Sequence, residues 1–317
     1  MVFHLMVEMT QWLKNLLGIV ILGLLLWYLA EHWDSLKNLV NLKLSTIFYL
    51  FITATAGVAV GSYMIQRMIT VFGVRPGFWE MFHLHSATIL LNYMPMKFGT
   101  LYRANYLKCH HGLIYAHFSV LFIYLLILMT IAAAVAGFIV LLTVYSLHRD
   151  ETFQLAIIFL AFLLFSVALA FIPLPAIKGT NKLTIGLGNF AQGRKIMTEN
   201  KCNLFVSLLL GAGCFLISSV QLGIIYHSMG QNVHPAGYFV LGAIAYVSMF
   251  LGITPGSLGL RELALALGAV ALGIDFNVGS LAAVIDRSVA LAWSFTIGVA
   301  STFYMWHKCP EDFKKQQ

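Results

Sequence analysis

Apolar residues fall along this chain in long blocks, without the period-two alternation of a half-buried strand. A helix that crosses the hydrocarbon core of a bilayer needs about 20 mostly apolar residues. Segments 13–30, 47–66, 113–142, 153–172, 204–226 and 279–306 have that character and predict six spanning helices. Two further apolar stretches, 78–94 and 236–253, are shorter, and each runs directly into a Pro/Gly break. Beyond the breaks lie 101–112, polar and basic, and 260–274, apolar and rich in Ala and Leu. The one long polar stretch, 173–203, has helical spacing over part of its length.

The first break reads Pro95-Met96-Lys97-Phe98-Gly99-Thr100-Leu101-Tyr102-Arg103, and the second Thr254-Pro255-Gly256-Ser257-Leu258-Gly259-Leu260-Arg261-Glu262. In each, Gly follows Pro by four positions and Arg comes soon after; the two prolines are 160 residues apart. The surroundings keep nearly the same offset. The helix near Ile47 corresponds to the one near Phe205, and Arg75-Pro76 to His234-Pro235. These matches predict one transmembrane domain, 1–317, built from repeat halves of about 1–150 and 151–310. Paired interrupted segments at corresponding places in two halves point to a transporter's substrate site. The reason is backbone chemistry: a broken helix exposes N–H and C=O groups that hydrocarbon cannot satisfy, so the break must be buried or line a wet cavity.

Composition removes the soluble alternatives. Hydrophobic residues make up 60% of the 317 and charged residues 10%, with a mean hydropathy of +0.86, against roughly 25% charged in an ordinary soluble domain. No soluble segment is long enough to form a nucleic-acid-binding face. The apolar run 16–30 has no small-x-small cleavage site before Glu31-His32-Trp33, so it reads as a first span rather than a cleaved leader. Cys109, Cys202, Cys214 and Cys309 show no CxxC spacing, and no structural disulfide is expected.

Charge placement sets an orientation. Each break is read as a re-entrant hairpin that leaves on the side it entered. Each half then has three crossings, and the second half is inverted relative to the first. With a cytoplasmic N-terminus, fourteen of the 19 Lys and Arg fall inside; only Lys37, Lys43 and Arg149 fall outside, and Arg261 and Arg287 lie at membrane depth. That asymmetry is the positive-inside pattern. The expected fold is therefore an all-α polytopic membrane protein with six spans and two opposed hairpins, both termini in the cytoplasm.

Charges at membrane depth carry the candidate chemistry. Arg261, Glu262, Asp286 and Arg287 sit within or beside apolar stretches, where ionised groups are costly and usually pair or line a pathway. They could form a neutral staple, Arg261–Asp286 with Glu262–Arg287 or the reverse. They could also leave one guanidinium free for phosphate oxygens, which its fork suits. Lys97 and Arg103 have no acid nearby in the sequence, which favours an anionic ligand at the first break, with snorkelling to the interface as the alternative. Tyr102, Tyr106 and Asn92 could bond a headgroup. His83 and His85 point to nearly opposite faces of a helix, Cys109-His110-His111 lacks a second ligand pair, and neither a metal nor a cofactor is expected.

The second break, with the following Ala282-Ala283-Val284-Ile285-Asp286-Arg287, resembles the late signature of the lysylphosphatidylglycerol synthase transmembrane family, also called the flippase-like domain family. The first break is similar to the family's earlier Pro-x-x-x-Gly-x-x-x-Arg motif, with Thr100 where the family often has an acid. Lysyl-transferring members carry a further cytoplasmic catalytic domain. The resemblance therefore implies the translocating part without the synthase. The expected function is a flippase-like carrier of an anionic lipid, a phospholipid or a polyprenyl-linked glycan, in a prokaryotic cytoplasmic membrane. In it Arg103, Arg261 and Arg287 hold phosphate while Glu262 and Asp286 orient them. Pro95, Gly99, Pro255, Gly256 and Gly259 shape the breaks. The alternatives are a membrane enzyme acting on a lipid-linked sugar phosphate and a non-catalytic subunit of an envelope-assembly complex. A homo-oligomer and an envelope-biosynthesis partner both fit this reading.

Overall fold

The computed structural model describes Trp27, Ala30 and residues 43–94, 98–145, 150–172, 181–250 and 259–308. Apart from Trp27 and Ala30, the predicted first span 13–30 lies outside the described residues, as do Pro95, Lys97, Pro255, Gly256 and Cys309. Everything regular among those residues is helical: α1 (Leu44–Thr70), α2 (Phe78–Leu91), α3 (Phe98–His111), α4 (Tyr115–Thr143), α5 (Asp150–Phe171), α6 (Lys182–Glu199), α7 (Lys201–Ser228), α8 (Pro235–Phe250), α9 (Leu260–Ala271), α10 (Phe276–Trp293) and α11 (Val299–Lys308). A π-helical turn, Ser294–Gly298, joins α10 to α11 in one continuous rod.

Five of these elements are long and apolar enough to cross a membrane: α1, α4, α5, α7 and the rod Phe276–His307. The protein is an all-α, polytopic integral membrane protein. A helix satisfies every backbone group internally, the requirement that hydrocarbon imposes. The outer faces confirm that hydrocarbon is the solvent: α5 exposes Phe153, Ile157, Leu164 and Phe165 while burying Ala156, Phe159, Ser166 and Ala170. The short helices are different. Fourteen residues in α2, fourteen in α3 and twelve in α9 reach only about 18–21 Å at 1.5 Å per residue. None can span the core of about 30 Å alone.

A single order of elements occurs twice. In α1–α4 and again in α7–α10, a long helix ends in a glycine turn and leads to a short helix, a break, a second short helix, another glycine turn and a final helix. The turn glycines, Gly73 and Gly112 in one set and Gly230 and Gly273 in the other, all have left-handed φ, between 67° and 82°. The two leading helices, α1 and α7, make the most extensive helix contact in the molecule. They approach closely because small residues line the seam, with Gly57 facing Ile217 and Gly61 facing Cys214.

Each pair of short helices has its own core. Met64, Ile65, Met81, Leu84, Tyr106 and Leu121 belong to the cluster around α2 and α3. Phe159, Phe215, Val240, Leu265 and Leu281 belong to the one around α8 and α9. The last rod connects the two. Its first part, α10, packs on α9, whereas the π turn and α11 lie against α2, where His83 Nδ1 meets Ser301 Oγ at 3.0 Å. Polar stretch 173–203 contains α6, tied down where Arg194 donates to the Ala170 carbonyl at 2.8 Å.

Candidate functional site

The start of α9 explains the position of the second cluster. Gly259 adopts φ +83°, a conformation that side-chain-bearing residues avoid, and so turns the chain into the helix. Its backbone N–H donates to Glu262 Oε2 at 2.8 Å, half of a capping box that folds the carboxylate back over the helix start. The other Glu262 oxygen lies 3.4 Å from Arg287 Nε on α10. Arg261 places a terminal nitrogen 2.9 Å from Asp286 Oδ2. Gln221, from the middle of α7, donates to Asp286 Oδ1 at 2.8 Å and accepts from Thr53 of α1 at 3.2 Å. Of the two pairings open in the sequence, the molecule adopts Arg261–Asp286 with Arg287–Glu262. Two cations and two anions balance, and Glu262 and Asp286 are almost completely buried, at 1% and 2% exposure.

The first break is closed differently. α2 and α3 approach so nearly at Gly99 that a methyl group there would collide with the Thr88 carbonyl and the backbone of Asn92. Asn92, at the end of α2, caps α3: its Oδ1 accepts from the Thr100 N–H at 3.0 Å and the Thr100 hydroxyl at 3.2 Å. Where α9 caps itself with an acid, α3 borrows a neutral amide. Tyr106 donates its hydroxyl to Glu80 at 2.9 Å, and His111 Nε2 approaches the same oxygen at 2.7 Å, joining the far ends of the hairpin.

Arg103 is left as a buried cation of another kind. It is only 3% exposed, so it does not snorkel to the interface. It donates to His85 Nδ1 at 3.2 Å, and its guanidinium carbon lies 5.7 Å from the Phe118 ring centroid. A guanidinium can only donate, so Nδ1 of His85 is the unprotonated ring nitrogen. No carboxylate pairs with Arg103 among the described residues, and its Nε has no hydrogen-bond partner. Nε of Arg261 is buried and unpartnered as well. Between the clusters stands Tyr93, two residues before Pro95, with Arg287 over its ring at 5.1 Å. Tyr93, just beyond α2, thus touches the charged cluster of α9 and α10.

The chain matches a protein family, the lysylphosphatidylglycerol synthase TM region, over residues 15–298. It belongs to this family. No curated protein and no solved structure matches it. Membership places this lysylphosphatidylglycerol synthase TM-region protein among membrane proteins concerned with lipid modification or translocation.

Three residues of the site lie outside what the motifs pick out. Gln221 carried a signal, since an amide in the middle of an apolar span needs a partner. His85 and Tyr93 carried none, because only the fold brings Arg103 of α3 to His85 and Arg287 of α10 to Tyr93. No group of three His, Cys, Asp or Glu side chains converges among the described residues. Cys109 and Cys202 are exposed free thiols, and Cys214 is a buried one.

Proposed function

We propose that this protein is a lipid carrier that moves an anionic lipid, a phospholipid or a polyprenyl-linked glycan, between the leaflets of a prokaryotic cytoplasmic membrane. The observation that carries the reading is Arg103: a buried guanidinium with one neutral imidazole for a polar partner, and an unpartnered Nε, among the described residues. A cation held away from water costs several kcal/mol unless something compensates it. A phosphate oxygen entering from the lipid compensates it, and the planar fork suits that ligand. Asp286 and Glu262 play the complementary part. Asp286 pairs with Arg261 and accepts from Gln221, while Glu262 accepts from the Gly259 N–H and faces Arg287, so the two acids orient the two arginines.

In this reading α2–α3 and α8–α9 are re-entrant hairpins from opposite faces, related by an inverted repeat. The breaks at Pro95–Gly99 and Pro255–Gly259 form a polar route for the headgroup while the tails stay in hydrocarbon. Both termini lie in the cytoplasm, as the positive-inside pattern favours. Lys97 adds a second positive charge to the same sequence motif.

Flipping of a fluorescent anionic phospholipid by the reconstituted chain tests the reading. Wild type should flip it. Arg103→Ala should lose at least tenfold in rate with little loss of fold, because no carboxylate among the described residues depends on Arg103 for neutralisation. Arg103→Lys should rescue poorly, since a point charge does not reproduce bidentate geometry. Wild-type rates in Arg103→Ala would reduce the buried cation to a structural part.

A further inference from the structure

Beside Arg103 lies a groove that no contact described above fills. α3 and α4 are joined by the tight turn at Gly112 and then diverge, touching along only a short stretch. The space between them has a volume of about 740 Å³, within the range of about 300–1,000 Å³ typical of ligand sites. Its two ends differ in chemistry. Near the turn the walls carry Asn105, Tyr115 and Ser119; toward the first break they carry Phe98, Leu101 and Phe122. The apolar end is open to the outside, with Phe98 and Leu101 at 44% and 58% exposure.

Charge selects the occupant. Among the described residues no Asp or Glu lines the groove. At its polar mouth Lys108 holds its ammonium 4.3 Å from the Tyr115 ring centroid, and the Tyr115 hydroxyl donates to Asn105 at 3.1 Å. On the inner wall Phe118 lines the groove and also lies against the Arg103 guanidinium. A polar, cationic mouth above an apolar floor that opens sideways has the complementarity of a single anionic lipid.

We propose that the α3–α4 groove takes up one anionic phospholipid laterally from the bilayer. The phosphate sits at the Asn105–Lys108 mouth and an acyl chain lies along Phe98, Leu101 and Phe122. The inference rests on the carrier reading for its purpose, since it brings the headgroup to within one side chain, Phe118, of Arg103. Its test reads binding alone and does not depend on transport.

The full chain is placed in phosphatidylcholine vesicles containing a trace of phosphatidylglycerol with a diazirine on its acyl chain. After illumination, labelled positions are mapped by mass spectrometry. Residues 98–105 and 115–123 should carry several-fold more label than the outward residues Leu160 and Leu164 of α5. A phosphatidylcholine probe of the same design should label the groove several-fold less. Ser119→Trp, at an exposed position, should abolish groove labelling while leaving α5 labelling intact, which also reports that the variant is folded. Equal labelling of groove and α5, equal labelling by the two probes, or no effect of Ser119→Trp would each overturn the proposal. So would a photoreactive residue at Ser119 that couples to residues 13–30, because the chain itself would then fill the groove. Flipping without groove labelling removes the groove and keeps the carrier; groove labelling without flipping does the reverse.

Discussion

At the scale of single residues the two clusters separate a staple from a site. Arg261 and Asp286 neutralise each other at 2.9 Å inside the protein, and a buried pair is damaged far more by losing one member than by losing both. Arg261→Ala should destabilise the detergent-solubilised protein by about 3–5 kcal/mol, because among the described residues Asp286 keeps only Gln221 as a donor. Arg261→Met with Asp286→Leu should recover most of that loss, with Gln221 still bonded to Thr53. Unfolding midpoints of the three proteins check this; a double variant no more stable than Arg261→Ala would show that the pair contributes more than mutual neutralisation. Flipping by the refolded double variant then asks a separate question. If the unpartnered Nε of Arg261 belongs to the phosphate site, a restored fold should come without restored transport.

Among the elements, the short helices owe their placement to their ends. α3 begins where Gly99 lets α2 come close and Asn92 supplies a cap, and α9 begins where Gly259 turns the chain and Glu262 caps it. The far ends of α2 and α3 are joined through Glu80. Burial tends to raise the Glu80 carboxyl, but hydrogen bonds from His111 and Tyr106 outweigh that and hold it below the usual carboxylate range. A group depressed on folding stabilises the fold above its ordinary pKa of about 4 and loses that contribution as pH falls through the lower folded value. Glu80→Gln should therefore lower the Tm at neutral pH, and the difference from wild type should close as the pH falls through the lowered folded value. A gap that stays constant across that range would remove the carboxylate from the clamp. Most element positions were legible in the sequence because hydrocarbon imposes a length rule: 47–66 and 204–226 fall inside helices of the structure, and 113–142 and 153–172 overrun theirs by no more than two residues. Helix 182–199 was legible only as partial spacing, since its partners, Ala170 and the start of α4, are remote in sequence. The π turn at Ser294–Gly298 left no sequence signal; it lies where Gly298 packs against Leu90 and the Ser86 carbonyl.

For the whole molecule, the question is how the two halves are related. The order of long helix, glycine turn, interrupted pair and glycine turn recurs with α1 and α7 packed as equivalents, and each interrupted pair has its own core. In the proposed topology each half makes three crossings and the second is inverted, which puts the turns that follow α1 and α7 on opposite faces of the membrane. Arg75 and Asn232 occupy corresponding exposed places just beyond Gly73 and Gly230. They are better reporters than the glycines themselves, whose left-handed φ resists any side chain. In a chain whose native cysteines have been replaced, Arg75→Cys should react with a membrane-impermeant maleimide only from the cytoplasmic side. Asn232→Cys should react only from the outside. The termini cannot decide the matter, because complete crossings in place of hairpins would also leave both of them in the cytoplasm. Reaction of both thiols from one face would abolish the inverted repeat, and with it the route that lets a headgroup pass between two half-depth hairpins.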